Sequence, residues 1–340
     1  MNMPNPQTGR TVERLPDSRP AVRPGSTSVP TSAPVNGRTG ANRDANDGAH
    51  TGTTAPHRQK QAAKPVRDLS ALLGRLSPRD KAVLADLAAH GFLTVSHIHS
   101  LHFADLSPAS GLRSAQRVLA RLYNIGVAGR LGQRIGGHRA GSQGVVYYAD
   151  DLGQRLLRAE HGQRGRRRFH EPTARFLAHQ LGIADARVDL VRAERSSQLE
   201  LLRLDIEPAC WRSYVGPGGA RLTLKPDLYA EVAIPRGSDF VDAAFIEIDR
   251  STESIPTLLK KCREYELYRR QGIEQEHADG AFPRVIWSIA ADAPDKAERR
   301  RIALQAAIRR DRTLPDDLFE VIAPPQLITT LSPKEAKHDH

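Results

Sequence analysis

Alternation of apolar and polar residues at period two between Arg221 and Asp249 constrains the fold more than any other feature of the chain. It predicts two β-strands joined by a short turn at Pro235, Gly237 and Ser238. In the first strand, one face carries Leu222, Leu224, Leu228, Ala230 and Val232, and the other carries Lys225, Asp227 and Glu231. In the second strand, Ala244, Ile246 and Ile248 face one way, and Phe245, Glu247 and Asp249 face the other. The stretch therefore predicts a β-ribbon with its acidic groups on one side.

Three carboxylates are expected to converge on that side of the ribbon, namely those of Asp227, Glu247 and Asp249. A carboxylate that faces an apolar core destabilises the fold unless it is paired or bound. Carboxylate oxygens are the ligands that Mg²⁺ prefers in proteins. The pattern therefore predicts a Mg²⁺ site formed by Asp227, Glu247 and Asp249. The alternative is an acidic edge ribbon that is solvated at the surface.

The ribbon resembles the core of the PD-(D/E)xK nuclease fold, through Pro226-Asp227 on one strand and Glu247-Ile248-Asp249 on the next. The chain departs from that pattern at Asp249, which stands where the lysine of the motif belongs. In some branches of the fold the lysine lies on the following helix, and the resemblance then implies that Lys261 takes its role, with Lys225 as a weaker candidate. It implies catalytic roles for Asp227, Glu247 and Lys261. The alternative is a nuclease-like fold that has lost its catalytic activity.

Composition favours a nucleic-acid partner. The 340 residues include 50 Lys and Arg against 39 Asp and Glu, which gives a net charge of +11. An ordinary arginine-rich protein has the same balance, so this observation is weak alone. The two cysteines exclude a disulfide framework and a four-cysteine zinc site. The chain has no apolar run long enough for a membrane span and its first residues lack a signal peptide, so we expect a cytoplasmic protein.

The first half of the chain predicts a winged helix-turn-helix domain at residues 72–161, after a disordered tail at 1–68. Ser77, Pro78 and Asp80 predict the start of a helix. Two further helices and two strands around a Gly-rich loop follow. The third helix carries Arg113, Arg117 and Arg121 on its polar side, and the wing carries Arg134 and Arg139. We expect these five arginines to contact double-stranded DNA. A winged helix used for protein contact or for forming a homodimer is the alternative.

The second half predicts an α/β domain at residues 171–325, between a basic linker at 162–170 and a polar tail at 326–340. A long helix from about 172 to 195 carries an apolar stripe and is expected to break near Gly182. Residues 205–219 are expected to form a loop. Three successive strands are followed by strands that alternate with helices, which indicates a mixed sheet with flanking helices. The predicted fold class is therefore α+β, with a winged helix-turn-helix before a mixed-sheet domain of restriction-endonuclease-like type.

The whole arrangement resembles the replication-relaxation family, which is found on actinobacterial chromosomes and mobile elements. The matching stretches are SPRDKAVLADLAAHGFLT, RSAQRVLARLYNIGVAGR, LKPDLY and FIEIDRSTESIPTLLKKCREYELY. The resemblance covers roughly residues 76–325 and implies a role in plasmid replication or in the control of DNA topology. Two functional hypotheses follow: a DNA-binding protein that nicks DNA with Mg²⁺, and a sequence-specific regulator whose nuclease-like domain is inert.

Overall fold

The computed structural model describes residues 69–134, 144–160 and 170–332, and the side chains of Gln133 and Arg134 are not among the described parts. The predicted tail at 1–68, nearly all of the predicted linker and the tip of the predicted wing, with Arg139, lie outside these ranges. In chain order the first elements are α1 (Leu69–Gly74), α2 (Pro78–His90), β1 (Leu93–Thr94), α3 (Val95–His102), α4 (Pro108–Asn124), β2 (Ala128–Arg134), β3 (Val145–Ala149) and α5 (Asp151–Glu160).

Local capping signals set the starts of the first helices. The side chain of Ser77 accepts a hydrogen bond from the backbone N–H of Asp80, and the Asp80 carboxylate accepts one from the N–H of Ser77. Thr94 and His97 make the same reciprocal pair at α3. Gly91 ends α2 with a φ of 77°, which favours glycine. The predicted helix start at Ser77 is confirmed.

Helices α2 to α4 pack around one apolar core with a small antiparallel sheet of strand order β1-β3-β2. Strands β2 and β3 are the predicted pair. Strand β1 was not predicted, because it is only two residues long. Helix α1 begins at Leu69 and buries Leu72 in this core, so residues before the predicted boundary at 72 belong to this domain.

The second half consists of a five-stranded mixed sheet with helices on both faces, which confirms the predicted mixed α+β class. Strands β8, β9 and β10 are parallel, whereas β7 and β4 run antiparallel to their neighbours, in the order β10-β9-β8-β7-β4. The elements are α6 (Ala174–Arg195), β4 (Glu200–Ile206), β5 (Arg212–Val215), β6 (Arg221–Leu224), β7 (Leu228–Ala233), β8 (Val241–Asp249), α7 (Ile255–Arg269), α8 (Ile273–His277), β9 (Arg284–Ile289), α9 (Pro294–Arg310), β10 (Phe319–Ile322) and α10 (Leu327–Leu331).

Where the sequence predicted the first strand of the ribbon, the structure has two separate strands, β6 and β7. β6 pairs only with β5 in a separate hairpin, and β7 begins again at Leu228 inside the main sheet. Leu224 packs under α7, whereas Leu228 packs on the opposite face of the sheet. The prediction of one continuous apolar face was therefore wrong. The prediction of a loop at 205–219 was wrong as well, because β5 lies within it.

Strand β8 follows the predicted alternation. Ala244, Ile246 and Ile248 pack against α6 and α10, while Phe245 packs against α7. Helix α10 lies in the stretch expected to be a polar tail, yet Leu327 and Leu331 are buried against the sheet. The ordered domain therefore continues past the predicted boundary at 325. None of the helices within the described ranges is sufficiently long and apolar to span a membrane.

Helix α6 lies between the two halves of the described chain and is continuous through Gly182. Its predicted stripe, including Leu177, Leu181 and Ala184, packs against the first half. A second stripe, which includes Ile183 and Leu190, packs on the sheet. A Cβ atom added at Gly182 would come within 2.8 Å of Cγ2 of Ile248, so glycine permits the close approach of helix and sheet rather than a break.

Candidate metal and DNA sites

The antiparallel register of β7 and β8 brings Asp227 and Glu247 together. Leu228 lies opposite Ile246, so Asp227, which immediately precedes β7, lies level with Glu247. The backbone N–H of Ile248 donates a hydrogen bond of 2.7 Å to Oδ2 of Asp227. Both acidic residues are buried. The pairing of these two predicted carboxylates therefore follows from the strand register.

His179 on α6 is a site residue that the sequence did not indicate. Its Nε2 lies 3.3 Å from Oδ1 of Asp227, and its Nδ1 lies 3.0 Å from the carbonyl oxygen of Ile248. Because both partners are acceptors, the ring must carry a proton on each nitrogen to donate to both. Burial lowers the pKa of His179. The hydrogen bond to Asp227 and the negative charge of Asp227 raise it by more than burial lowers it, so the net pKa of His179 lies above its ordinary value.

Asp227 is an anion in this arrangement. Burial raises the pKa of Asp227, but the charge of Lys261 and the contacts of His179 and Ile248 lower it more strongly. The net pKa of this carboxyl is below its ordinary value. A buried carboxylate therefore persists because two cationic side chains and a backbone N–H compensate for its lost hydration.

Glu247 receives two side-chain donors from α7. Lys261 and the hydroxyl of Tyr265 each donate a short hydrogen bond to its carboxylate, one to each oxygen. Burial raises the pKa of Glu247, and the charge of Asp227 adds to that effect. Burial lowers the pKa of Lys261, but the charges of Glu247 and Asp227 raise it above its ordinary value. Lys261 therefore contacts Glu247 directly and interacts with Asp227 through its charge.

Tyr265 and Tyr268 of α7 are both buried in the core beneath the helix. Lys225, the weaker lysine candidate, is elsewhere: its Nζ lies 4.7 Å from the centre of the Trp211 ring. Lys260 points away from the acids and is 4.0 Å from Glu264. The structure thus brings only Lys261 to the two acids.

Asp249 does not join Asp227 and Glu247. Arg300 of α9 donates to both of its oxygens, and the backbone N–H of Ser251 donates to Oδ1 at 3.0 Å. Ser251 has a φ of 58°, which is uncommon outside glycine and holds its N–H toward Asp249. Within 69–134, 144–160 and 170–332, no three His, Cys, Asp or Glu side chains are grouped to hold a metal ion. The predicted convergence of three carboxylates is therefore not found there.

The remaining donor set is compatible with a divalent cation. Oxygens of Asp227, Glu247 and the Ile248 carbonyl face the protonated nitrogens of His179 and Lys261. Mg²⁺ is commonly bound by one or two carboxylates, with water and substrate phosphate completing its shell. The oxygens of Asp227, Glu247 and Ile248 are of the kind that Mg²⁺ binds. The charged side chains of His179 and Lys261 show that these oxygens stabilise positive charge.

The predicted DNA-contacting arginines of α4 fall into two groups. Arg113 and Arg117 are exposed, and they line a shallow surface depression of about 550 Å³ with Ser110, Gln116 and Ala120. Arg121 instead donates to Asp80 in the capping box of α2. The backbone of Arg134 belongs to β2, its side chain is not described, and Arg139 lies outside the described residues. Among the predicted arginines whose side chains the structure describes, Arg113 and Arg117 line this depression, whereas Arg121 is paired with Asp80.

Comparison with known proteins supports a family assignment. A family model described as replication-relaxation matches residues 84–285, which is more than half of the chain. The match begins within α2, contains Asp227, Glu247 and Lys261, and ends at the start of β9. No curated protein and no solved structure is significantly similar to the chain.

Proposed function

The chain belongs to the replication-relaxation family, and we propose that it is a DNA-binding protein of plasmid or mobile-element replication that nicks DNA in a Mg²⁺-dependent reaction. Residues of the first half bind duplex DNA. Residues around β7, β8 and α7 cleave a phosphodiester. The observation that carries the proposal is the buried pair of Asp227 and Glu247 with Lys261 donating to Glu247.

The DNA-binding part of the proposal rests on α2 to α4 and strands β2 and β3, which we interpret as a winged helix-turn-helix. In such a module the third helix enters the major groove. That helix is α4, and its exposed Arg113 and Arg117 are placed to contact phosphates or base edges. A site of two-fold symmetry would be bound by a homodimer, with one copy on each half-site.

The cleavage part of the proposal interprets the sheet, α6, α7 and α9 as a nuclease-like domain of the PD-(D/E)xK type. Asp227 and Glu247 would hold Mg²⁺ between them. When bound, the cation supplies a Lewis acid that polarises the scissile phosphate and stabilises developing negative charge.

The chain's own groups have separate tasks in that reaction. Lys261 donates a hydrogen bond to Glu247. The negative charges of Glu247 and Asp227 raise the pKa of Lys261, so its ammonium stays charged. When DNA enters, its ammonium stabilises the negative charge that develops on the phosphate oxygens. Tyr265 holds the Glu247 carboxylate in place. His179 holds Asp227 and the Ile248 carbonyl at a fixed separation.

Nicking of a supercoiled plasmid tests the proposal. We expect conversion to the open-circular form with Mg²⁺ and none with EDTA. The Asp227→Asn, Glu247→Gln double variant should lose the activity while melting as a folded protein. Glu276→Gln, which alters an exposed acid on α8, is the matched control and should nick normally. Full activity in the double variant would overturn the cleavage proposal.

A second candidate is a sequence-specific DNA-binding regulator with an inert nuclease-like domain. The observation that favours it is that Asp249, at the motif position of the lysine, is held by Arg300. Titration calorimetry with Mg²⁺ or Mn²⁺ separates the two functions. Binding that vanishes in Asp227→Asn supports cleavage. Absence of binding, together with specific duplex binding by the same preparation, supports the regulator.

A further inference from the structure

A cleft of about 380 Å³ lies between the first half of the described chain and the nuclease-like domain. The end of α2, strand β3, the start of α6 and the segment from Glu207 to Trp211 form its walls. Small-molecule sites in proteins commonly enclose roughly 300–1,000 Å³ and combine apolar walls with a few polar groups. The cleft therefore has the size of a site for one flat organic group.

Four of the residues that line the cleft are aromatic: Phe92, Tyr148, Phe176 and Trp211. The rings of Phe92 and Phe176 are perpendicular, with centroids 6.4 Å apart, and the centroid of the Tyr148 ring lies 6.1 Å from that of Phe92. Phe176 is 50% exposed and Trp211 is 36% exposed, although both are large apolar side chains. Phe92 and Tyr148 are buried, so Phe176 and Trp211 supply the exposed aromatic surface, and exposed apolar surface at a cleft is typical of a binding site.

Polar groups surround these rings. Gln180 is almost fully buried and donates a hydrogen bond to the Glu207 carboxylate at the wall of the cleft. Gln154 and His170 add further donors and acceptors. Nζ of Lys225 lies 4.7 Å from the centre of the Trp211 ring and adds positive charge beside the aromatic wall. Such a lining matches a group that has an aromatic face and a hydrogen-bonding edge.

Hydrogen bonds connect one wall of the cleft to the segment that carries Asp227. The backbone N–H of Glu207 donates to the carbonyl of Asp227 at 3.0 Å, and Sγ of Cys210 donates to the carbonyl of Pro226 at 3.0 Å. On the other wall, Gln180 follows His179 in α6. Both walls of the cleft are therefore continuous with the segments that hold Asp227 in place.

We propose that this cleft binds an unpaired nucleobase of a DNA strand whose backbone passes the Asp227–Glu247 pair. This proposal rests on the proposed cleavage function and names its substrate: DNA that is single-stranded, or locally unpaired, at the site. A paired base keeps its faces within the duplex stack, so the aromatic walls can receive a base only after it leaves the duplex. Aromatic walls combined with nearby basic groups are typical of proteins that bind single strands without strict sequence preference.

Intrinsic fluorescence of the full chain offers a direct test. The chain has two tryptophans, and Trp287 is buried in the core whereas Trp211 lies in the cleft. An oligothymidylate should quench the Trp211 part of the emission. In Trp211→Phe the remaining Trp287 emission should not respond to the strand. A duplex of equal length should leave Trp211 unquenched, and quenching of equal size by that duplex would overturn the proposal.

Affinity for a labelled oligothymidylate, measured by fluorescence anisotropy in EDTA, gives a second readout. Stacking on one aromatic ring contributes roughly 1–3 kcal/mol per base, so Trp211→Leu should weaken binding roughly 5- to 150-fold. Trp211→Phe should retain most of the affinity. Phe176→Leu changes an exposed ring with little risk to folding and should also weaken binding. Phe240→Leu alters an exposed aromatic residue on the β7–β8 hairpin and is the matched control.

The outcomes separate this inference from the proposed function. Unchanged single-strand affinity in both Trp211→Leu and Phe176→Leu would overturn the base site while Asp227-dependent nicking stands. Strand-dependent quenching of Trp211 without metal binding at Asp227 would support the cleft and reject cleavage. Loss of duplex binding in Arg113→Ala, Arg117→Ala should leave the quenching of Trp211 by the single strand intact.

Discussion

Nε2 of His179 lies 3.3 Å from Oδ1 of Asp227, although one residue is on the helix between the two halves and the other precedes a central strand. The second nitrogen of the same ring donates to the Ile248 carbonyl, one strand further. A single imidazolium thus connects α6 with β7 and β8. Because α6 also packs against α3 of the first half, the same helix links the proposed DNA-binding module to the acidic pair.

Replacing His179 by Ala should lower the free energy of unfolding by roughly 1–3 kcal/mol, because Asp227 and the Ile248 carbonyl each lose a charge-assisted partner. The same variant should bind Mg²⁺ at least as tightly as the wild type, since a competing positive charge has been removed. Urea unfolding and calorimetry measure the two effects. His277→Ala, an exposed histidine on α8, should change stability by no more than about 0.5 kcal/mol. Loss of Mg²⁺ binding in His179→Ala would contradict the expectation that the charge of His179 competes with the cation at Asp227.

Asp249 is predicted to stabilise the fold rather than to bind metal. Its carboxylate is buried, and Arg300, whose side chain is 13% exposed, is its partner. Removing one member of a buried ion pair leaves an uncompensated charge, so Asp249→Ala should lower the free energy of unfolding by about 3–5 kcal/mol. The Asp249→Ala, Arg300→Met double variant should recover part of that loss in a double-mutant cycle.

Two controls accompany the Asp249 variants. Lys260→Ala disrupts the exposed Lys260–Glu264 pair and should cost less than about 1 kcal/mol. Calorimetry should find the Mg²⁺ affinity of Asp249→Ala close to that of the wild type. A loss of metal binding as large as that of Asp227→Asn would instead restore Asp249 to the ligand set.

The sequence allowed prediction of those parts of the site that depend on local periodicity. The alternation in β8 correctly placed Glu247 and Ile248 on opposite faces. The break between β6 and β7 could not be seen, because Leu228 is four positions after Leu224 and the period-two pattern continues across the break. Only the tertiary structure puts these two leucines on opposite faces of the sheet.

The contribution of α6 was hidden for a related reason. A helix that is covered on both sides carries two apolar stripes, and the stripe recognised in the sequence faces the first half of the chain. The other stripe, with Ile183 and Leu190, packs on the sheet. His179 lies near the sheet because of that second contact, and no spacing rule within α6 relates it to Asp227. The arginine partner of Asp249 was hidden in the same way, because Arg300 is one of several basic residues along α9.

Gly182 is predicted to be required for the contact of α6 with β8. In Gly182→Ala the new methyl group would meet Cγ2 of Ile248 at 2.8 Å, and the helix would have to move away from the sheet. Overpacking of this kind costs about 1–3 kcal/mol, which exceeds the gain of up to about 1 kcal/mol from better helix propensity. Thermal and urea unfolding should show net destabilisation. Gly74→Ala, where no atom lies within 4 Å of the new Cβ, is the matched control and should not destabilise the protein.

The arginines of α4 should separate by role when each is replaced by Ala. Arg113→Ala and Arg117→Ala should each weaken duplex binding by about 1–3 kcal/mol if they contact base edges, with no change in stability. Arg121→Ala should instead destabilise the fold, because Arg121 compensates the buried Asp80 carboxylate. Arg309→Ala, an exposed residue on α9, controls for the loss of one positive charge. Unchanged binding in the Arg113→Ala, Arg117→Ala double variant would reject α4 as the reading helix.

The free energy of unfolding should decrease as the pH is lowered, because His90 titrates. This residue lies where α2 meets α6. Burial and the charge of Arg187 lower the pKa of His90 from 6.5 to about 3, and its Nε2 accepts a hydrogen bond of 2.8 Å from Arg187. The folded state disfavours protonation of His90, whereas the unfolded state accepts the proton. The contribution of neutral His90 to the free energy of unfolding is therefore complete above pH 6.5 and is lost progressively toward pH 3.

At pH 5 the loss through His90 amounts to about 2 kcal/mol. His90→Gln retains an acceptor for Arg187 but does not titrate, so its free energy of unfolding should decline less between pH 7 and pH 5 than that of the wild type. Urea unfolding at both pH values measures the difference, with His277→Ala as the control that removes an exposed histidine. Equal declines in His90→Gln and the wild type would show that His90 does not control the acid sensitivity of this contact.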